Sequence, residues 1–221
     1  MNRKALWVMA ILFVVSTMVL TACGGGGGSD GGGAGPAAKT SVKLARTGQV
    51  ISYDTNTTQR DDGFLTMGVV WPSPRFTVAS SGTGTVVSDN LTGLMWLQNA
   101  NCINSTTYNP DGTGNGTVTW QHALDFVKGI NNGTYSSCRA GYTDWRLPNR
   151  KELRSLIDHS QYSPALPTGH PFSNVQASTY WSSTTYAGPT NVALIIYMVD
   201  GSVLNAGKSA TVYVWPVRSG Q

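Results

Sequence analysis

Apolar residues recur at helical spacing in two places along the chain. Between Trp120 and Ile130 the positions Ala123, Phe126, Val127 and Ile130 stand three and four residues apart, which puts them on one face of a helix. Thr119 precedes the run as a residue able to cap it. A second helix is expected to begin at Asn149, where Glu152 three residues on completes a capping-box arrangement and Leu153, Leu156 and Ile157 form the inward stripe. Strand-like runs surround these helices at 84–87, 94–97, 180–184, 192–199 and 211–217. Asp200-Gly201 is a type I′ hairpin signal joining 192–199 to 202–205. The pattern predicts an α+β domain with short antiparallel sheets and two short helices.

The start of the chain follows a different rule. Arg3 and Lys4 precede an uncharged apolar run from Ala5 to Leu20, and the small residues Thr21 and Ala22 follow, an order expected of a signal peptide. The run is shorter than the roughly 18 to 20 residues a spanning helix needs. Leu20-Thr21-Ala22-Cys23 resembles the bacterial lipobox, in which a cysteine after small residues takes a diacylglycerol. Cys23 is therefore the expected lipidation site, and Gly24 after it resembles the sorting signal for the outer membrane in Gram-negative cells. The expected organisation is a signal peptide at 1–22, a lipidated cysteine and glycine-rich tether at 23–45, and one domain at 46–221. As a random coil the tether would reach about 25 Å.

Composition changes this picture in two ways. Removing residues 1–22 takes away Arg3 and Lys4 and lowers the formal charge from +4 to +2, so steering toward nucleic acid is not expected. Glu152 is the only glutamate, and the wealth of Gly, Ser, Thr and Asn suits a turn-rich extracytoplasmic fold. With Cys23 lipidated, Cys102 and Cys138 remain as an even pair in an oxidising compartment and read as a disulfide, two buried free thiols being the alternative.

Five motifs then follow one another: Thr92-Gly93-Leu94-Met95-Trp96; Trp120 with Ala123; Gly141-Tyr142-Thr143-Asp144-Trp145-Arg146-Leu147-Pro148-Asn149; Tyr180-Trp181-Ser182-Ser183-Thr184; and Pro216-Val217-Arg218. Together they resemble the family named for the C-terminal domain of the bacterial collagen-like adhesin Lcl, over residues 46–218. The resemblance implies a C-type-lectin-like domain, akin to the sulfatase-activating enzymes, that binds rather than catalyses. The adhesin's collagen repeats are missing, so its trimeric assembly does not carry over. The late cysteine pair of the sulfatase-activating enzymes is missing too, as 180–218 contains no cysteine. Trp96, Trp120, Trp145, Trp181 and Trp215 read as core. Arg146 and Arg218 read as members of a buried network in which Asp144 is a candidate partner.

Catalytic signals are sparse. The sequence has no G-x-S-x-G elbow, H-E-x-x-H pair or CxxC motif, and His122, His159 and His170 are isolated, so no cofactor is expected. Asn109, Asp111, Thr113 and Asn115 alternate with glycine as in a calcium loop, but the twelfth position is Trp120 instead of glutamate, and the run reads as a turn into the Thr119 cap. Asp89 and Asn90 carry oxygens without any telling spacing. The candidate binding residues are Arg150, Lys151 and Arg154, with Arg150 and Arg154 one helical turn apart on the exposed side. Members of the resembled family are associated with sulfated polysaccharides, which is the partner that the resemblance implies, together with a membrane reached through the lipid anchor.

Overall fold

A computed structural model describes residues 44–55, 60–81 and 84–220, all within the compact unit Val42–Gln221. The expected signal peptide, Cys23 and the tether to residue 43 lie outside the described residues.

The protein is α+β, with two sheets. The first has the order β1(Phe76–Ser81), β2(Gly84–Asp89), β3(Leu94–Leu97), β9(Val217–Ser219), and all its neighbours are antiparallel. The second has the order β4(Thr117–Val118), β8(Val212–Tyr213), β5(Thr179–Thr185), β6(Val192–Tyr197), β7(Ser202–Gly207). Its neighbours are antiparallel as expected, except that β5 and β8 run parallel through Tyr180 and Tyr213. A pair this short leaves no periodicity to read.

The expected strand at 211–217 is corrected. It is two strands, β8 and β9, and each belongs to a different sheet. Pro216 lacks a backbone N–H and cannot continue a ladder as donor, so the chain leaves the second sheet there and joins the first. Val214, Trp215 and Pro216 make the crossing buried. Trp215 donates its indole N–H to the Leu97 carbonyl at 2.9 Å, which ties the crossing to β3.

Among the described residues there are three α-helices instead of two: α1(Asp62–Leu65), α2(Trp120–Asn131) and α3(Arg150–Ser155). The one-turn α1 has too few residues for a period. In α2 the Thr119 hydroxyl accepts from the His122 N–H, and Ala123, Phe126, Val127 and Ile130 are buried as the spacing predicts. In α3 Asn149 accepts from the Lys151 and Glu152 N–H groups while Glu152 accepts from the Asn149 N–H, completing the capping box. Two 3₁₀ turns, Cys102–Ser105 and Ser136–Cys138, are joined by the Cys102–Cys138 disulfide.

The hairpin between β6 and β7 departs from type I′. Its loop holds four residues, Met198 to Gly201, because Tyr197 pairs with Ser202. Gly201 has φ of +80°, Asp200 does not share that conformation, and type I′ needs both. Gly201 is also required for close approach: a Cβ there would lie 2.5 Å from the Ile157 Cγ2 beyond α3.

Of the five tryptophans expected in the core, four are there, with Trp96, Trp181 and Trp215 wholly buried and Trp145 nearly so. Trp120 is the exception. It is half-buried, donating its N–H to the Ser182 carbonyl at 2.9 Å under the Lys208 ammonium, which stands 4.0 Å from its ring.

Candidate functional site

The residues that make the family resemblance hold one another in place. Arg146 and Val217 exchange two backbone hydrogen bonds at 2.9 and 3.0 Å, linking the segment before α3 to β9. The Ser183 N–H donates to the Pro148 carbonyl at 2.8 Å. Met95 is opposite Arg218 in the ladder. The Arg218 guanidinium, almost fully buried, donates to Asp144 at 2.7 and 3.2 Å and lies 3.9 Å from the Tyr142 ring. That arginine holds the Asp144 carboxyl below its ordinary range by hydrogen bonding first and charge second. The motifs are thus a structural lattice, as a rigid guanidinium fork with a carboxylate partner should be.

Arg146 corrects the expectation of burial. Its side chain is 41% exposed, and it grips Glu152 through two hydrogen bonds of 2.7 Å. Burial pushes the Glu152 carboxyl up, but bonds from Arg146 and from the Asn149 N–H outweigh it and hold the group low. The pair therefore fixes the N-terminal end of α3 by ionic contact and cap together.

A matching family model decides the relationship: it is described as the Lcl C-terminal domain and covers residues 85–218. The chain belongs to that family. A comparison with curated proteins gives no match. Residues before 85 fall outside it, among them the described segments 44–55 and 60–71, the strap that precedes the first sheet.

The candidate binding residues of this Lcl C-terminal domain are all exposed on α3, but they divide. Lys151 and Arg154 line a groove of about 560 Å³, and Arg150 does not. The opposite wall comes from the strap: Leu44 to Thr47 pair with Val69 through bonds between Leu44 and Val69 and between Arg46 and Val69. Trp71 donates its N–H to the Arg46 carbonyl at 3.0 Å and presents its ring to the groove. Arg46 adds a third strong cation, its Nε unpartnered among the described residues, and His159 also lines the space. Among the described residues no carboxylate lines it. Ile157 and Val69 give it an apolar floor. Such a surface offers paired N–H donors for sulfate or carboxylate oxygens beside an aromatic face. Arg46, Trp71 and His159 were not legible as site residues, because nothing in sequence spacing links the strap to α3.

The acids and amides among the other sequence candidates have structural partners. Asp111 accepts from the Thr119 N–H and lies 2.9 Å from the His122 ring Nδ1, so this acid of the calcium-like run is engaged at the start of α2. Asn109 and Asn115 accept from N–H groups of their own loop, at Gly114 and Thr117. Asp89, wholly buried, accepts from Arg75, from the Leu91 N–H and from the Thr92 hydroxyl. Asn90 donates to Pro74 and Thr77. The His170 ring is tilted against that of Phe172 at 5.9 Å between centroids, and burial pushes its pKa down. Among the described residues no three His, Cys, Asp or Glu side chains converge as metal ligands.

Proposed function

We propose that the protein is a lipid-anchored cell-envelope protein of the outer membrane whose domain, built on a C-type-lectin-like plan, binds glycans or other surface polymers without catalysing a reaction. The supporting observation is the groove lined by Arg46, Lys151 and Arg154, with no carboxylate among its described lining residues. Its charge suits sulfate groups. Binding to heparin-like polymer is expected at low salt and should weaken as salt rises, because exposed charges are screened. Lys151→Ala with Arg154→Ala should weaken it about tenfold or more, as two charge-assisted contacts are lost. Arg150→Ala should leave it nearly unchanged. An unaltered dissociation constant in the Lys151 and Arg154 double variant would remove the groove from the account.

The anchor is tested separately. Cys23 is the only thiol in the lipobox-like run, so Cys23→Ser should abolish lipid labelling and release the protein from membranes. A serine variant still processed and still sedimenting with the envelope would contradict the lipoprotein reading.

A second reading, an assembly subunit docking on another envelope protein, is favoured by the strap. Val50, Tyr53, Met67 and Val70 are more than half exposed there, an unusual concentration of apolar side chains.

A further inference from the structure

A second cleft, of about 470 Å³, shares no lining residue with the cationic groove. Its walls carry the carboxamides of Asn99, Asn101, Asn104, Asn115, Asn174 and Gln176, and among the described residues no charged side chain lines it. They come from three loops: the one after β3, the one before β4 and the one before β5. Tyr213 of β8 completes the lining.

The fold holds these groups in fixed positions. Asn99 Oδ1 accepts from the Asn101 N–H at 3.0 Å and from the Asn174 side-chain amide at 3.1 Å, which bridges two of the loops. Gln176 donates from Nε2 to the Asn174 carbonyl at 2.9 Å. Asn101 is 6% exposed and donates from Nδ2 to the Asn115 carbonyl at 3.3 Å, while its Oδ1 has no partner among the described residues. The Tyr213 ring lies 5.6 Å from the buried Tyr180 ring, so its position is set by the core. Asn104, by contrast, is exposed at the rim.

We infer that this cleft is a binding site for an uncharged saccharide. A sugar hydroxyl both donates and accepts, and a carboxamide offers two donors and an acceptor in one plane, so a wall of carboxamides matches a ring of hydroxyls without any change of protonation. The C–H face of a pyranose has Tyr213 to lie against. A phosphate or sulfate would meet no cation here. A peptide side chain would find no apolar pocket of the kind that small-molecule and anchor sites use. Where the groove selects by charge, the cleft selects by the pattern of hydroxyls, and a site built on such hydrogen bonds discriminates strongly against ligands that leave its groups unpaired.

The experiment uses the full chain in detergent and a panel of neutral oligosaccharides of glucose, mannose, galactose and N-acetylglucosamine, read by calorimetry and saturation-transfer NMR. At least one is expected to bind with a dissociation constant that moves less than about twofold from low to high salt, since no charge is involved. Asn104→Ala and the near-isosteric Asn104→Asp should each weaken it about tenfold through lost donors, with the thermal midpoint unchanged. Tyr213→Phe keeps the ring and should retain much of the binding. Lys151→Ala with Arg154→Ala should leave it intact. The inference is overturned if no neutral oligosaccharide binds, if both Asn104 variants bind as the parent does, if the groove variant loses the sugar, or if an unstructured peptide competes for the cleft and sugars do not. Because the groove is probed with a sulfated polymer and the cleft with uncharged sugars, either can fail while the other stands.

Discussion

Replacing Trp215 with alanine is expected to lower the stability of the domain by about 4 kcal/mol, near the upper end for a large-to-small core change. Trp215 is wholly buried where the chain crosses from the second sheet to the first. Three aromatic neighbours meet it edge-on or tilted: Phe172 at 4.8 Å, Trp96 at 5.6 Å and Tyr180 at 5.7 Å between ring centroids. Those rings come from both sheets and from the loop before β5, so the surrounding backbone cannot all move inward to fill the space. The change also strands the Leu97 carbonyl, which accepts the indole N–H. Trp215→Phe keeps part of the packing and should fall between. Trp120→Ala serves as the contrast: its ring is half-buried, and the loss should be nearer about 1 kcal/mol. Urea unfolding with an unchanged slope measures all three. If Trp215→Ala and Trp120→Ala cost the same, Trp215 does not fasten the two sheets.

The legible parts of this fold are those where a local rule and the tertiary structure agree. The helical period of α2 and the Thr119 cap are local, and both hold. Asn149 and Glu152 specify the start of α3 by reciprocal bonds that need no outside partner. The β3 run at 94–97 is read to the residue because its side chains enter the core nearly throughout. β1 was not expected because Thr77, Val78, Ala79 and Ser80 are exposed, so this edge strand shows no alternation. The 211–217 run reads as continuous because β-branched and aromatic residues fill most of it, and only the pairing partners reveal the switch between sheets.

The sites divide in the same way. Arg150, Lys151 and Arg154 are legible as a cluster because one helix carries all three, but the helical turn pairs Arg154 with Arg150, which does not line the groove. Arg46 and Trp71 enter the groove only through the strap's pairing with Val69, a contact that no periodicity encodes. The carboxamide cleft is assembled from loop residues, and asparagine in a loop reads locally as turn chemistry. Asn115 shows the difficulty: in sequence it belongs to a calcium-like run, its Oδ1 serves the Thr117 N–H, and it still contributes to the cleft wall.

Loss of the Cys102–Cys138 bond is the other large effect expected. The bond closes a loop with a sequence separation of 36, and the chain-entropy relation gives about 4 kcal/mol for a loop of that size. Both half-cystines are buried, at 5% and 1%, so the link lies in the core and not on a mobile surface. It joins the 3₁₀ turn after β3 to the one after α2, and the first of these turns carries Asn104, with Asn101 immediately before it. Cys102→Ser with Cys138→Ser should therefore fold but unfold at a markedly lower urea concentration. Its amides from 101 to 106 should exchange with solvent faster than those of α3, because the released turn borders the cleft while α3 keeps its own cap and its Arg146 contact. Thiol reductant should shift the parent to the same midpoint and leave the double variant unmoved. A loss under about 1 kcal/mol would show that packing around the two turns, not the covalent link, holds them together. In that case Asn101 and Asn104 would keep their places in the reduced protein, and neutral-sugar binding should survive reduction.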